Sequence, residues 1–304
     1  MKEIAYVTLD VFTAQRFGGN PLAVIPDARG LDSAAMQKIA REFNYSETTF
    51  VLPPADPANT AEVRIFTPRA ELPFAGHPNV GTGYVVARMG SLFGRAVGEV
   101  LRFEEKAGLV AVRIRREAGA VVGAELTAPV GLTRGATLDA ASAAACLGLD
   151  AADIVTVSHQ PQVASVGLPF LCVELRDRAA LAKAAPRPEL FATVLPPVGT
   201  DAIMLYVHDQ ARGPGALRAR MFSPLHGVPE DPATGSAGAA LSAMLADLDP
   251  ARDAERRYAI IQGEEMGRPS LLEATVLKRN GTVTETRIGG ACAPVMRGML
   301  TLDS

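Results

Sequence analysis

The chain has no tryptophan, 5% aromatic residues, three cysteines and four histidines in 304 residues. Each shortage removes a class of function. Aromatic platforms for stacking nucleic-acid bases are not available at this density. Lysine and arginine are scattered, and the net charge is −3. Nucleic acid and anionic membrane surfaces both require a concentrated basic face, so neither is expected as a partner. No run of about 20 apolar residues suggests a membrane span. The first residues, MKEIAYVTLDVF, start directly on a strand-like alternation rather than on a cleavable apolar segment, and a cytoplasmic location is expected. Cys146, Cys172 and Cys292 lie far apart in apolar or alanine-rich surroundings. They read as buried small hydrophobes, because a zinc site needs ligands at short spacing. No metal is expected. There is no G-x-S-x-G elbow and no Ser-His-Asp order. Gly81-Thr82-Gly83 falls short of the dinucleotide pattern, and no Walker lysine follows a glycine loop, so no cofactor is indicated.

What is present is an ordinary soluble composition, 48% apolar and 21% charged, in a chain long enough for two cores. Residues 1–130 read as an N-terminal half, which the last C-terminal residues can join, and 131–304 as a C-terminal half. In the first half, alternating apolar residues predict strands over Lys2–Phe12, Leu22–Ile25, Thr48–Leu52 and Ala61–Phe66. Asp32 or Ser33 can cap a helix running through Glu42. The loop Glu71–Asn79 leads into a helix from about Val80 to Met89, and three strands follow. The second half runs in a similar order: strands over Phe170–Leu175, Asp201–Val207 and Leu217–Phe222, the loop Gly227–Gly238, a helix to about Leu245–Leu248, then strands over Arg257–Gln262, Leu271–Lys278, Val283–Ile288 and Val295–Leu302. The helical stretch after Leu175 is broken by Pro186, Pro188, Pro196 and Pro197.

The two passes can be put in register. Gly19–Ile25 matches Gly167–Val173, Arg64–Pro68 matches Arg220–Pro224, and His77-Pro78 matches Asp231-Pro232. The shifts all lie near about 150 residues, half the chain, which marks a duplicated unit rather than a solenoid. The expected fold is therefore α+β, in two pseudo-symmetric halves. Each half would be a rolled, mostly antiparallel sheet around a central helix, because a helix apolar on all sides is buried on all sides. Related halves facing each other would place both helix starts at one cleft.

The stretch Gly227–Gly238, GVPEDPATGSAG, carries the chemistry of a helix start. Small residues there leave backbone N–H groups and the helix dipole open to an anion such as a carboxylate. The structural alternative is a tight turn with Asp231 or Ser236 as the helix cap. Glu47 opens an apolar strand; it is either a partly desolvated general acid or base or a solvated strand-end glutamate. His77 either relays protons and holds a carboxylate or is a structural histidine. Asp231 is either a turn residue or a catalytic group. His159, His208 and His226 rank lower.

DVFTAQRFGGNPLAVI (Asp10–Ile25), FNYSETTFV (Phe43–Val51), LPFAGHPNVGTG (Leu72–Gly83), GVPEDPATGSAG and QGEEMGRPS (Gln262–Ser270) resemble the PhzF-like family, named for an isomerase of phenazine biosynthesis. The resemblance runs through nearly the whole chain and is weakest over Arg134–Val166. It implies a diaminopimelate epimerase-like fold with the site between two halves, and a homodimer. It implies Glu47 as the acid and base that moves a proton on a small unsaturated carboxylic acid, as in trans-2,3-dihydro-3-hydroxyanthranilate isomerase, without cofactor or metal. His77, Asp231 and Ser236 fall at supporting positions, and Gly76 and Gly235 at substrate-binding amides. Two-thiol racemases of related fold use paired cysteines, and none of the three cysteines here lies near those loops. Asn79 stands where threonine is more often expected. A binding protein without catalysis and an epimerase of another small acid are the other readings of the same residues.

Overall fold

Alternating apolar and polar residues give strand β1 (Lys2–Val11), which turns back into β2 (Asn20–Ile25) with Val11 opposite Asn20 and Val7 opposite Val24. The structure, a computed structural model, describes residues 2–302, apart from the side chains of Lys2, His226 and Val228. It is mixed α/β, with six α-helices among the described residues. The chain forms two compact units, one drawn from Met1–Thr127 and Gly289–Ser304 and the other from Ala128–Ile288.

In the first unit β2 runs parallel to β3 (Glu47–Leu52), pairing Leu22 with Glu47. A parallel pair needs a crossover, which helix α1 (Ser33–Phe43) supplies. Asp32 caps it by accepting from the Ala35 N–H, and Asn44 ends it in the left-handed conformation. Its buried residues Met36, Ile39 and Ala40 pack with Ile25, Phe50 and Phe66. β4 (Ala61–Phe66) pairs antiparallel with β3 and with the short β5 (Glu71–Leu72). Helix α2 (Gly76–Met89) follows, then a small hairpin of β6 (Ser91–Leu92) and β7 (Arg95–Ala96). β8 (Val100–Glu105), β9 (Gly108–Glu117) and β10 (Ala120–Thr127) form an antiparallel meander, with β8 also parallel to β4. The last part of the chain, Cys292–Leu302, pairs with β1 along its length.

α2 is buried from Gly76 to Ala87, with the small and apolar residues from Val80 onward mixed with the buried polar His77, Asn79 and Thr82. Its glycines allow the close approach. A Cβ on Gly81 would lie 2.5 Å from Leu22 Cδ2 and 2.8 Å from Val11 Cγ2, and one on Gly83 would lie 2.7 Å from Val112 Cγ1. The Thr49 and Thr82 hydroxyls meet at 2.8 Å between β3 and the helix.

The second unit contains β11 (Thr133–Thr137), α3 (Ala140–Cys146), β12 (Gln162–Ser165) and β13 (Pro169–Glu174). α4 (Arg178–Lys183) and α5 (Pro188–Val194) then cross over to β14 (Ile203–His208), which is parallel to β13. β15 (Ala216–Ser223) is antiparallel to β14 and to β16 (Val228–Asp231). After helix α6 (Gly235–Leu248) come β17 (Ala254–Gln262), parallel to β15, and β18 (Ser270–Arg279), antiparallel to β17. The final strand is β19 (Thr282–Leu302). Leu171, Val173, Ile203, Leu205 and Phe222 form one core with Leu181 and Phe191 of the crossover helices. No helix among the described residues is long and apolar enough to cross a membrane.

Three sequence expectations need correction. α2 and α6 start earlier than their apolar runs, at Gly76 and Gly235. Pro78 fits in the first turn, where its missing N–H leaves no helical bond unmade. The proline-interrupted helical stretch after Leu175 is, as read, two short helices, but a further helix, Ala140–Cys146, was not expected. The predicted strands Val283–Ile288 and Val295–Leu302 are one strand of 21 residues. Gly289-Gly290, between the two predicted strands, marks a close approach: a Cβ on Gly289 would lie 2.4 Å from Ala124 O, and one on Gly123 would lie 2.0 Å from Gly290 O.

Candidate active site

Glu47 is the first residue of β3, and His77 the second residue of α2. The parallel pairing of β2 with β3 and the close seating of α2 bring them together. His77 Nδ1 stands 3.5 Å from Glu47 Oε2. The Glu47 side chain is 16% exposed and that of His77 6%. Burial pushes the His77 pKa down to about 3, and the Pro21 carbonyl, which favours a ring proton, offsets this only in part. His77 is therefore a neutral imidazole near pH 7, and its contact with Glu47 is not an ion pair. Its Nε2 is buried with no hydrogen-bond partner among the described residues. An orphaned polar atom in such a position needs an explanation, and a ligand group is one.

The helix start itself is open. Aspartates cap α1, α3 and α4 through Asp32, Asp139 and Asp177. The residue at the cap position of α2, Ala75, has no side chain to accept a bond, so Gly76 and His77 stand at a start without a side-chain cap. The segment ahead of it is held from several sides. Arg64 of β4 grips Glu71 through two bonds of 2.8 Å, and Lys106 adds a third contact at 2.6 Å. The Ala107 N–H donates to the Pro73 carbonyl at 3.1 Å. Asn79, fully buried, returns its side-chain amide to the Ala75 carbonyl at 3.0 Å.

The other candidate residues lie in the second unit. Asp231, 8% exposed, ends β16, and its Oδ2 accepts from the Thr234 hydroxyl at 2.5 Å. Thr234 is the residue at the cap position of α6, yet its side chain makes no capping bond. Asp231 and Ser236 are thus not caps: Asp231 precedes the helix and Ser236 lies inside its first turn, half-buried beside the buried Gly235. The loop is fastened by residues the sequence reading did not single out. Gln262 donates to the Asp231 carbonyl at 2.8 Å and accepts from the Thr234 N–H at 3.2 Å. Ser270 donates to the Pro232 carbonyl at 3.1 Å, and a Cβ on Gly263 would lie 2.6 Å from that same oxygen. The QGEEMGRPS segment thus supports the Asp231 loop. Its glycine and serine were visible, but their target about 30 residues away was not.

The second unit also repeats the grip on its loop. Arg220 holds Glu230 through two bonds of 2.8 Å, and its remaining nitrogen reaches the Leu181 and Ala184 carbonyls. Glu71 is opposite Phe66, and Glu230 opposite Phe222, in the two ladders. Each arginine also lies over that phenylalanine ring. Glu71 precedes Gly76 by the same interval as Glu230 precedes Gly235. This sets α2 against α6 with His77 at the place of Ser236, both helices being 14 residues long. That register, counted from those glutamates, differs from the match of His77-Pro78 to Asp231-Pro232.

A family model described as phenazine biosynthesis-like protein, PhzC-PhzF, matches residues 9–298. The chain belongs to that family. It is 37% identical to an uncharacterized isomerase of Mesorhizobium japonicum, covering 97% of this chain and 98% of that one. It is 35% identical to the trans-2,3-dihydro-3-hydroxyanthranilate isomerase of Pseudomonas chlororaphis, covering 98% and 99%. The crystal structure of a PhzF-family phenazine biosynthesis protein from Bacillus anthracis superposes with a TM-score of 0.87 at 26% identity, covering 99% of this chain and all of that one.

In this family member the remaining histidines have other surroundings. His159 is 7% exposed and bonds the Gln160 carbonyl and the Tyr206 hydroxyl, each at 2.7 Å. His208 is half-exposed, 3.8 Å from Glu174. The side chain of His226 lies outside the described residues. All three cysteines are buried and unpaired. Burial raises the thiol pKa to about 11 in Cys146 and about 12 in Cys172, and also raises that of Cys292. Among the described residues no group of three or more His, Cys, Asp or Glu could hold a metal ion.

Proposed function

We propose that this family member is an isomerase that moves a proton on a small unsaturated carboxylic acid, with Glu47 as the group that removes and returns it. The isomerase class is that of its curated relatives. The observation that carries the assignment to Glu47 is its carboxyl, nearly buried and 3.5 Å from a neutral histidine at an uncapped helix start. As a carboxylate it accepts a proton from a carbon beside the unsaturated system; as the acid so formed, in exchange with solvent, it delivers a proton to another carbon. No net proton is gained or lost.

The neighbours support that role. A neutral His77 adds no positive charge beside Glu47, a charge that would weaken it as a base. With its one ring proton on Nδ1, held by the Pro21 carbonyl, His77 keeps Nε2 as an acceptor for a hydroxyl or amine of the substrate. The N–H groups at Gly76 and His77, which the Ala75 side chain does not cap, suit the substrate carboxylate, or the negative charge that develops as the proton leaves. In the second unit Gly235 and Ser236 offer a similar uncapped start, and Asp231 is a supporting residue fixed by Thr234 and Gln262. We read the matching order of strand pairings and the two arginine grips as signs of a duplicated unit of diaminopimelate epimerase-like type. The substrate class follows that named for the Pseudomonas relatives. Turnover of trans-2,3-dihydro-3-hydroxyanthranilate by the native protein and its loss in Glu47→Gln tests this reading. Turnover unchanged by that substitution would overturn it. Inversion of a stereocentre instead of a shifted double bond would turn it into the epimerase reading.

A further inference from the structure

The β1–β2 turn is the most strained segment of the first unit. Phe12 has φ 65° and Phe17 φ 70°, a region that a residue with a Cβ adopts only at a cost. Gly19, at φ 61°, could carry no side chain, because a Cβ would lie 2.3 Å from Val11 O. The turn is nevertheless firmly held. Asp10 Oδ2 accepts from the Phe17 N–H at 2.7 Å, Thr13 bonds Gln15 in both directions at 3.1 Å, and Arg16 donates to the Pro294 carbonyl at 2.7 Å. Phe12 is fully buried, which accounts for its own strain. Phe17 is 72% exposed. A strained and braced backbone that holds an aromatic ring in water is not explained by packing.

Its position supplies an explanation. The turn closes at the Val11–Asn20 pair, next to the Leu22–Glu47 pair. The carbonyl of Pro21 faces His77, and Gly81 of α2 sits against Val11 and Leu22. The turn therefore rises from the end of the sheet that carries Glu47 and His77.

We propose that Phe17 determines the substrate specificity of the Glu47 site by offering its ring to the planar, unsaturated part of a small carboxylic acid. This rests on the isomerase reading for where the site is, and adds what the site selects. Flat conjugated groups pack against an aromatic ring in offset or edge-on geometry with an attraction beyond area burial, which a puckered saturated ring does not share. The braced turn pre-places the ring, so little ordering is required on binding.

The test compares benzoate with cyclohexanecarboxylate, two acids of similar size that differ in planarity, by titration calorimetry on the full chain. The native protein is expected to favour benzoate by about two- to tenfold. Phe17→Ala should abolish that preference and Phe17→Tyr should keep it, with melting temperatures unchanged because the side chain lies outside the core. With a turned-over substrate, Phe17→Ala should raise KM and leave kcat near native. A benzoate preference retained in Phe17→Ala, or no binding of either acid by the native protein, would overturn the inference. A Phe17-dependent preference in a protein that isomerises no acid would sustain it and count against the isomerase reading instead.

Discussion

Replacing His77 with glutamine tests whether the histidine beside Glu47 is neutral. Its pKa moves from 6.5 to about 3 on folding, driven by burial. A depressed pKa means that the unfolded chain binds the proton more readily than the folded one. The associated stability is fully present above pH 6.5 and is lost as pH falls toward 3. From these two values, about 2.7 kcal/mol is lost between roughly pH 7.5 and pH 4.5. Carboxylates also titrate over this range, so the informative quantity is the difference between the native protein and His77→Gln. Urea unfolding at both pH values should show a native loss exceeding that of the variant by about 2–3 kcal/mol. Nitrogen-15 NMR of the native protein should show the His77 ring neutral down to about pH 4. Equal pH dependence of the two proteins, or a ring that titrates near 6.5, would refute the reasoning.

Two further perturbations probe the supports of the site. Arg220→Met leaves Glu230 and the Leu181 and Ala184 carbonyls without their donor, a loss of about 3–5 kcal/mol for a buried pair broken on one side. Arg64→Met should cost less, about 1–2 kcal/mol, because Lys106 remains on Glu71; urea unfolding should rank the two in that order. Glu105, at the end of β8, is pushed up to about 8 by burial, against a smaller opposing effect of the Asn79 amide. Its folded pKa lies above its unfolded value of 4.5, so the stability it confers is greatest below that value and is lost as pH rises through 8. Melting temperatures of the native protein should therefore fall from pH 5 to pH 9 more steeply than those of Glu105→Gln.

Local signals carried much of the fold. The apolar spacing of Met36, Ile39 and Ala40 places α1 to within a residue, and predominantly small and apolar residues identify α2 and α6 as buried. The starts of those two helices were not legible, because His77-Pro78 and Gly235-Ser236 look like loop until the strands around them are known. Glu47 and His77 could each be picked out, but their 3.5 Å contact depends on a parallel strand pair and on Gly81, both non-local. The neutrality of His77 was not legible either, since it follows from burial. Arg64 and Arg220 stood in the repeat as matched letters. Their role appears only with Glu71 and Glu230 opposite the neighbouring phenylalanines. Gly289-Gly290 sits within one strand rather than between two, since glycine serves a turn and a close backbone approach equally well.

The central claim is that Glu47 moves the proton. Proton NMR in D2O, with trans-2,3-dihydro-3-hydroxyanthranilate and the native protein beside Glu47→Gln, tests it most directly. The account predicts loss of substrate signal and deuterium at the receiving carbon with the native protein, and neither with the variant. Equal conversion and equal deuterium uptake by both proteins would contradict it.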